Sequence, residues 1–361
     1  MKIGIIGLPL SGKSTVFNAL TGLSAQTKEF SDSSSKKASP NLGVVKVPDE
    51  RLEKLTQVYI SKKTTYDVIN FIDMQGVTKD TKLEDIDLSP IKDTDALVLV
   101  IRFFENKNVS HVYENIDGLR DLNMLATFII LSDLAIAENR ITKMETDQKR
   151  GRKYNEKEYE VVKKCHQWLL QEKPLRLLSF TQEEESFIRG FQFLSRKPSL
   201  ALFNISESDI EKGQAQNLTD AAAALNMASI SFCAKVEAEL AQLDDEELKK
   251  SFMQELKIQE TARDKFIHAS FALLDLITFY TAGEKESRAW FIKKGSSALI
   301  AAGKIHTDIQ RGFIRAEVFN YIDFSGADFD ESKVKAKGLF RLEGKEYIFK
   351  DGDIVYFRFS V

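Results

Sequence analysis

The sequence has few cysteines, no long hydrophobic run and no excess of charge of either sign. Its 361 residues include two cysteines, Cys165 and Cys233, and 51 basic against 54 acidic residues. Two cysteines in unrelated contexts exclude a disulfide framework and a metal site made of paired cysteines, so we expect reduced thiols. The formal charge of −3 excludes a uniformly basic nucleic-acid binder and leaves room for a local basic patch.

The apolar segments are too short to cross a membrane. The run Ala96–Ile101 is far shorter than the roughly 20 residues that a spanning helix needs. The apolar start of the chain is interrupted by Gly4, Gly7 and Pro9, and it lacks a cleavage-site pattern. We therefore expect a cytoplasmic protein with no membrane partner, and no DNA partner is expected. The length suits two or three domains.

Short apolar strands alternate with helical segments through much of the chain. This alternation predicts an α/β fold with a parallel sheet, since parallel strands need helical crossovers. The predicted strands are Met1–Ile6, Val44–Val47, Tyr66–Asp73, Ala96–Ile101, Ser199–Asn204 and Ser229–Cys233.

A long segment without strands interrupts this sheet pattern. From about Leu122 to Phe191 the apolar residues recur near helical spacing, which predicts a helical hairpin inserted into the sheet domain. The basic run Lys149–Lys153 would form its tip. Such a run is typical of a solvated helix end, and contact with RNA is the alternative.

The chain from about Phe279 onward is richer in glycine and aromatic residues, which predicts a small β-rich domain. Tyr347–Phe349 and Ile354–Phe359 flank an Asp-Gly-Asp turn signal and predict a β-hairpin. The predicted domains are 1–121 with 196–276 for the sheet domain, 122–195 for the hairpin and 277–361 for the β-rich domain.

The segment Gly7–Ser14 matches the P-loop pattern G-x-x-x-x-G-K-[ST], with a strand before it and a helix after it. Its backbone N–H groups would surround phosphates at a helix N-terminus. Lys13 would reach the β- and γ-phosphates, Ser14 would ligate Mg²⁺, and Thr15 would bind the α-phosphate. The predicted phosphate-binding residues are Leu10, Ser11, Gly12, Lys13, Ser14 and Thr15.

An acidic residue follows at the distance expected behind a P-loop. Asp73 ends a strand and opens a D-x-x-G sequence that closes with Gly76. The Asp73 carboxylate would hold the magnesium ion, and the Gly76 N–H would contact a γ-phosphate. The next residue is Val77, where Ras-type enzymes carry the glutamine that orients water. Hydrolysis would therefore be slow or would use another group.

The base-binding residues follow two later strands. GTPases of this architecture carry N-K-x-D, but here the corresponding strand ends in Asn204-Ile205-Ser206-Glu207. Glu207 could accept a hydrogen bond from the amino group of adenine, so ATP is favoured while GTP stays open. Cys233, Ala234 and Lys235 take the place of the loop that contacts the base.

These motifs together resemble the Obg-like ATPase (YchF) family, and the similarity extends over nearly the whole chain. It includes GLPLSGKSTVFNALTG at the start, FIDMQGV at 71–77, the hairpin, NISE, CAKVEAELAQLDDEE and RLEGKEYIFKDGDIVYFRF near the end. The resemblance implies a P-loop NTPase domain, an inserted coiled-coil hairpin and a C-terminal, β-grasp-like TGS domain at 277–361. It also implies a preference for ATP, association with ribosomes or structured RNA, and a catalytic role for His111.

The sequence departs from the family pattern in both segments that respond to the γ-phosphate. Lys37 stands where the family has a magnesium-binding threonine, and the segment after Gly76 lacks the family's glycines. Three hypotheses follow. In the first, the protein is a slow ATP-hydrolysing, ribosome-associated regulator. In the second, it is a non-hydrolysing, nucleotide-binding adaptor, with a GTP-binding switch as the alternative. In the third, the nucleotide site is vestigial and the C-terminal domain acts on RNA.

Overall fold

The computed structural model describes residues 1–22, 41–74, 87–106, 109, 111, 113, 115–211, 216–243 and 245–360. Their contacts group them into two compact units. The larger unit falls within residues 2–44 and 70–270, and the smaller unit contains residues 1, 45–69 and 271–361. Among the described helices, none is long and apolar enough to cross a membrane.

The described strands include all six predicted for the sheet domain, with shifts of a few residues at several ends, together with strands that the sequence pattern did not predict. They are β1 (Lys2–Gly7), β2 (Asn41–Lys46), β3 (Thr64–Thr65), β4 (Val68–Asp73), β5 (Ala96–Phe103), β6 (Ser199–Ile205), β7 (Ala228–Phe232), β8 (Leu276–Thr281), β9 (Ser287–Lys293), β10 (Phe313–Asn320), β11 (Arg341–Glu343) and β12 (Asp353–Phe359).

The helices fill the intervals between these strands. They are α1 (Lys13–Thr21), α2 (Glu50–Val58), α3 (Ser89–Lys92), α4 (Gly118–Lys149), α5 (Glu156–Leu169), α6 (Gln182–Ile188), α7 (Gln216–Ala224), α8 (Ala234–Leu240), α9 (Glu246–Glu255), α10 (Ala262–Leu274), α11 (Ala298–Ile305), α12 (Thr307–Arg311), α13 (Tyr321–Ser325) and α14 (Glu331–Ala336).

The first sheet confirms the predicted parallel α/β fold. Its strand order is β2-β4-β1-β5-β6-β7. β1 pairs in parallel with β4 and β5, and β5, β6 and β7 continue the parallel pairing. Every residue of β6 is buried, as are the first seven residues of β5, which explains their continuous apolar sequences. Because parallel strands point the same way, the segments after β1, β4, β5, β6 and β7 emerge at one edge of the sheet.

The helical hairpin consists of α4 and α5. Each helix begins at a polar cap, since Asp117 accepts from Arg120 N–H and Asn155 accepts from the N–H groups of the next turn. Apolar side chains of α4 and α5, including Ala137, Val162 and Cys165, form their own buried core. The basic run Lys149–Lys153 is exposed at the turn between the helices, as predicted.

The second sheet lies in the smaller unit and has the order β11-β10-β12-β8-β9-β3. The predicted hairpin of Tyr347–Phe349 with Ile354–Phe359 is wrong. β12 pairs antiparallel with β10 and in parallel with β8. Phe349 is buried in the core beside the sheet, and Tyr347 donates to Asp353 at 2.8 Å. β12 therefore takes partners far back in the chain, which sequence adjacency does not indicate.

The grouping of contacts also places the α2 segment, residues 45–69, with residues 271–361. Asp49 caps α2 and its Oδ2 accepts from the Tyr280 hydroxyl at 2.6 Å, while Arg51 pairs with Asp351 at 2.6 Å. Leu52 and Leu55 are completely buried in the same cluster as Tyr280. The three predicted domain ranges stay a prediction beside this division into two units.

Candidate functional site

The P-loop follows β1 with a backbone that requires glycine at two positions. Gly12 has φ +87°, in the left-handed region. A Cβ at Gly12 would lie 2.2 Å from Asn204 Nδ2, and a Cβ at Gly7 would lie 2.6 Å from the carbonyl oxygen of Val100. Leu10 also has a positive φ, of 61°, which is uncommon for a residue with a side chain. The loop therefore depends on both glycines.

Lys13 and Asp73 are buried near each other at this edge of the sheet. Lys13 Nζ donates to the Leu8 carbonyl at 2.8 Å, and burial lowers the pKa of Lys13 to about 8, with the nearby Asp73 opposing this. Asp73 Oδ2 accepts from Asn41 Nδ2 at 3.1 Å. Burial raises the pKa of Asp73, while the Asn41 hydrogen bond and Lys13 lower it. The sheet edge thus holds a buried acid and a buried base together.

Two oxygens of this region have no hydrogen-bond partner among the residues that the structure describes. They are Asp73 Oδ1 and Ser11 Oγ, and both are buried. Buried polar atoms are nearly always paired, so unpaired ones indicate a binding role or strain. A carboxylate oxygen is the ligand type that Mg²⁺ prefers, and a serine hydroxyl can donate to phosphate. The Asp73 carboxylate oxygen and the Ser11 hydroxyl therefore fit a magnesium–nucleotide ligand.

The side chain of Asn204 joins the P-loop to the loop after β7. Its Nδ2 donates to the Ser11 carbonyl at 3.2 Å, and its Oδ1 accepts from the Ala234 N–H at 3.1 Å. Asn204 is 4% exposed, so both bonds are shielded from water. Ser11 and Ala234 therefore belong to the site through contacts with Asn204.

A cavity of about 580 Å³ opens between these loops, within the size range of small-molecule and cofactor sites. Most of the predicted nucleotide-binding residues line it: Leu10, Gly12, Lys13, Ser14, Thr15, Asn204, Glu207, Cys233 and Lys235. Ser11, Ala234, Asp73 and His111 are not part of its lining. The predicted Gly76, together with Lys37 and Val77, lies outside the described residues.

The residues predicted to lie near the nucleotide base differ in their exposure to solvent. Glu207 begins a short 3-10 turn after β6 and is exposed at the cavity. Lys235 is also exposed, and its Nζ lies 3.8 Å from Glu239 Oε1. Cys233 is buried at the start of α8, and burial raises the pKa of its thiol. Like Cys165, it is a free cysteine.

Sequence reasoning missed one wall of the cavity, the segment directly after β5. Phe104, Glu105, Asn106 and Val109 line this wall. No short motif marks these residues. Their position could have indicated them, because they follow the carboxyl end of the strand beside β1, where ligands of parallel sheets bind.

His111 has an arrangement that the sequence did not predict. Its ring is 4% exposed, and Nε2 lies 3.0 Å from Asp121 Oδ2. Its Nδ1 accepts from the Tyr113 N–H at 3.1 Å, which leaves the proton on Nε2 to be donated to Asp121. Both ring nitrogens are therefore engaged within this segment. The catalytic role of His111 stays a prediction.

Two family descriptions match this chain. One, "50S ribosome-binding GTPase", matches residues 2–133, and the other, YchF-GTPase_C, described as a protein of unknown function, matches residues 276–360. The two matches together include the P-loop and the second sheet.

Curated proteins and a solved structure are similar over the full length. The ribosome-binding ATPase YchF of Bacillus subtilis is 39% identical, with 100% of both chains covered. Its namesake from Escherichia coli O157:H7 is 38% identical, covering 100% of this chain and 99% of that one. The structure of the Schizosaccharomyces pombe YchF GTPase aligns with a TM-score of 0.81 at 26% identity, covering 99% and 97% of the two chains.

Proposed function

The chain belongs to the YchF family of P-loop nucleotide-binding proteins, and on that premise we propose that it is a magnesium-dependent nucleotide hydrolase that prefers ATP to GTP. The observation that carries the proposal is the shared cavity of the P-loop and the Asn204–Glu207 segment. That segment holds a glutamate where guanine-binding proteins have aspartate.

The P-loop residues would hold the phosphates. The Lys13 ammonium, now bonded to the Leu8 carbonyl, would turn to the β- and γ-phosphate oxygens, where it gains a charged partner. Ser11 Oγ is unpaired among the described residues and could donate to the same phosphates. Thr15 lines the cavity and would bind the α-phosphate.

Asp73 and Ser14 would hold the magnesium ion. Mg²⁺ is usually bound by one or two protein oxygens together with substrate phosphates, which suits a single buried carboxylate. The part of the chain that the structure describes contains no cluster of three His, Cys, Asp or Glu residues for a metal. Bound magnesium would neutralise charge on the phosphates.

An isosteric variant tests the magnesium site without an activity assay. Asp73→Asn keeps the shape of the side chain and removes the charge. We expect magnesium to raise ATP affinity by a smaller factor in this variant than in wild type, while affinity in EDTA does not fall, because the variant removes a negative charge near Lys13. A magnesium dependence equal to that of wild type would remove Asp73 from the metal site.

The proposed adenine preference rests on Glu207. An exposed carboxylate at the cavity can accept from the exocyclic amino group of adenine. Calorimetry with Mg-ATP and Mg-GTP tests the assignment, with Lys13→Ala as a variant that should weaken both. Tighter binding of GTP by about tenfold or more, ~1.4 kcal/mol, would overturn it.

Base selection can be separated from phosphate binding with one further variant. Glu207→Ala should lower the ratio of ATP to GTP affinity, whereas Lys13→Ala should leave that ratio unchanged. An unchanged ratio in Glu207→Ala would assign adenine recognition to other residues of the cavity.

Ribosomal RNA is the proposed partner, and the cytoplasm is the proposed location. The similar curated proteins are named ribosome-binding. The exposed basic run Lys149–Lys153 at the hairpin tip offers positive charge to RNA phosphates.

Reversing the charges of the run Lys149–Lys153 should weaken ribosome co-sedimentation and flatten its salt dependence. Reversals at Lys249, Lys250 and Lys257, outside the hairpin, are the control and should change neither, while a loss in the control alone would point away from the tip.

A non-hydrolysing, nucleotide-binding adaptor is the second candidate. The observation in its favour is that both ring nitrogens of His111 are engaged by Asp121 and Tyr113. His111 would have to leave Asp121 before it could orient a water molecule. Single-turnover hydrolysis of bound ATP separates the candidates, since an adaptor would release nucleotide unchanged.

A further inference from the structure

Arg102, near the end of β5, is a buried arginine to which the sequence motifs assign no role. It is 2% exposed. Its Nε donates to the Phe104 carbonyl at 3.2 Å, and its Nη2 donates to the Val109 carbonyl at 2.9 Å. The planar guanidinium therefore binds two carbonyls of the segment after β5 in a fixed relative position.

The same guanidinium packs on the Phe104 ring. Its central carbon lies 4.6 Å from the ring centroid, within the distance of a cation–π contact. On the P-loop side, Phe104 Cε1 lies 3.7 Å from the position of a Cβ at Gly12. Phe104 is thus placed between Arg102 and the P-loop, and both Phe104 and Val109 line the nucleotide cavity.

The negative charge of Asp121 supports the buried position of the Arg102 guanidinium. Burial lowers the pKa of Arg102, and the negative charge of Asp121 opposes that shift. Asp121 is 1% exposed and is held by Arg120 at 2.9 Å and by His111 at 3.0 Å. A fixed anion therefore lies near the buried guanidinium of Arg102 and offsets part of the cost of its burial.

We propose that Arg102 is a positioning residue for the nucleotide, because it holds Phe104 and Val109 as one wall of the cavity against the P-loop. The inference rests on the proposed nucleotide-binding function and names a residue that contributes to the affinity of that site. Arg102 acts through the wall, whereas the P-loop binds the phosphates. Its loss should therefore weaken binding of the nucleoside triphosphate more than it slows the chemical step.

The test uses Arg102→Lys in the full chain, with Mg-ATP as the ligand. Lysine keeps the charge but cannot bind both carbonyls with a planar fork. We expect the Kd and KM for ATP to rise about tenfold, ~1.4 kcal/mol. The kcat at saturating ATP should stay within about threefold of wild type, because an interaction made equally in ground and transition states changes KM alone. Tm and circular dichroism report folding.

Arg140→Lys is the matched control. Arg140 lies on α4, and its guanidinium pairs with Glu158 within the hairpin at 2.6 Å. It is a partly buried, ion-paired arginine remote in sequence from the cavity lining. Its ATP affinity should remain within about twofold of wild type, as for sites that share no partners.

Phe104→Leu keeps the inference testable if Arg102→Lys does not fold. Removal of the ring alone should weaken ATP binding by a similar factor. In the double variant with Arg102→Lys and Phe104→Leu, the two losses of ATP affinity should not multiply, because both substitutions disrupt the same wall of the cavity. Affinity equal to wild type in either single variant, multiplying losses, or a fall in kcat with KM unchanged would each overturn the inference. Wild-type protein that binds neither ATP nor GTP would instead overturn the proposed function, and this inference with it.

Discussion

The side-chain amide of Asn204 lies where a side chain at Gly12 would begin. The distance from Nδ2 to a Cβ built at Gly12 is 2.2 Å. Because the same Nδ2 donates to the Ser11 carbonyl, the amide cannot move aside without breaking the bond that joins the two loops. The P-loop and the end of β6 therefore pack directly against each other, and a substitution in either one tests this contact.

Gly12→Ala should abolish measurable nucleotide binding. The methyl group meets Asn204, and alanine is strained at φ +87°. We expect at least a roughly 100-fold loss of Mg-ATP affinity by calorimetry. Gly22→Ala is the control, since Gly22 also has a positive φ, but no described heavy atom lies within 4 Å of its Cβ position. The Gly22→Ala variant should lose about 1–2 kcal/mol of stability. It should bind Mg-ATP with wild-type affinity. Equal affinities in the two variants would contradict the steric argument.

The buried ammonium of Lys13 predicts a pH dependence of binding. Burial lowers its pKa to about 8, whereas bound phosphates would keep the lysine protonated to higher pH. The free protein therefore loses this proton first, and ATP affinity should fall as pH rises above about 8. Calorimetry in buffers of different ionisation enthalpy should detect proton uptake on binding near pH 8.5. Binding without proton uptake at that pH would mean that Lys13 is already fully charged in the free protein.

Replacement of His111 distinguishes a catalytic from a structural role. If His111 leaves Asp121 to orient water, His111→Ala should slow single-turnover ATP hydrolysis by about 100-fold or more, in the range of general acid–base effects, with little change in affinity. His166→Ala on α5 is the control, because His166 pairs with Glu138 at 3.4 Å on the hairpin. Equal, barely detectable hydrolysis in wild type and His111→Ala would favour the adaptor and remove His111 from the site.

Glu237, buried on α8, should make stability depend on pH. Burial raises its pKa to about 7, and the Ala262 N–H that bonds to it opposes this. The folded state then holds a proton that the unfolded state has lost, so stability falls as pH rises from about 4.5 to 7. Glu237→Gln should therefore stabilise the protein at pH 8 by about 1–3 kcal/mol more than at pH 4.5. Thermal unfolding at the two pH values measures this difference.

Glu239→Gln is the control for that measurement. Glu239 lies on the same helix and its side chain is half exposed. Its replacement should change stability by no more than about 0.5 kcal/mol at either pH. A pH-dependent gain of the same size in both variants would mean that burial of Glu237 is not the cause.

Local sequence patterns were sufficient for the main features of the fold and the phosphate site. Gly12 and Lys13 in a G-K-S sequence predicted the P-loop, because few other residues permit this backbone and this cation together. Continuous apolar runs such as Ala96–Ile101 predicted buried parallel strands, and helical spacing predicted the hairpin formed by α4 and α5. Each of these features depends on residues close together in the chain, so the sequence alone determined them.

Only the tertiary structure decided which distant segments meet. It brought Asn204 between Ser11 and Ala234 and made Phe104 and Val109 a wall of the cavity. It also paired β12 with β10 and β8 and grouped residues 45–69 with 271–361. These contacts join residues far apart in sequence, where no local propensity favours one partner over another. The competition among buried surfaces and hydrogen bonds of the whole chain selects them.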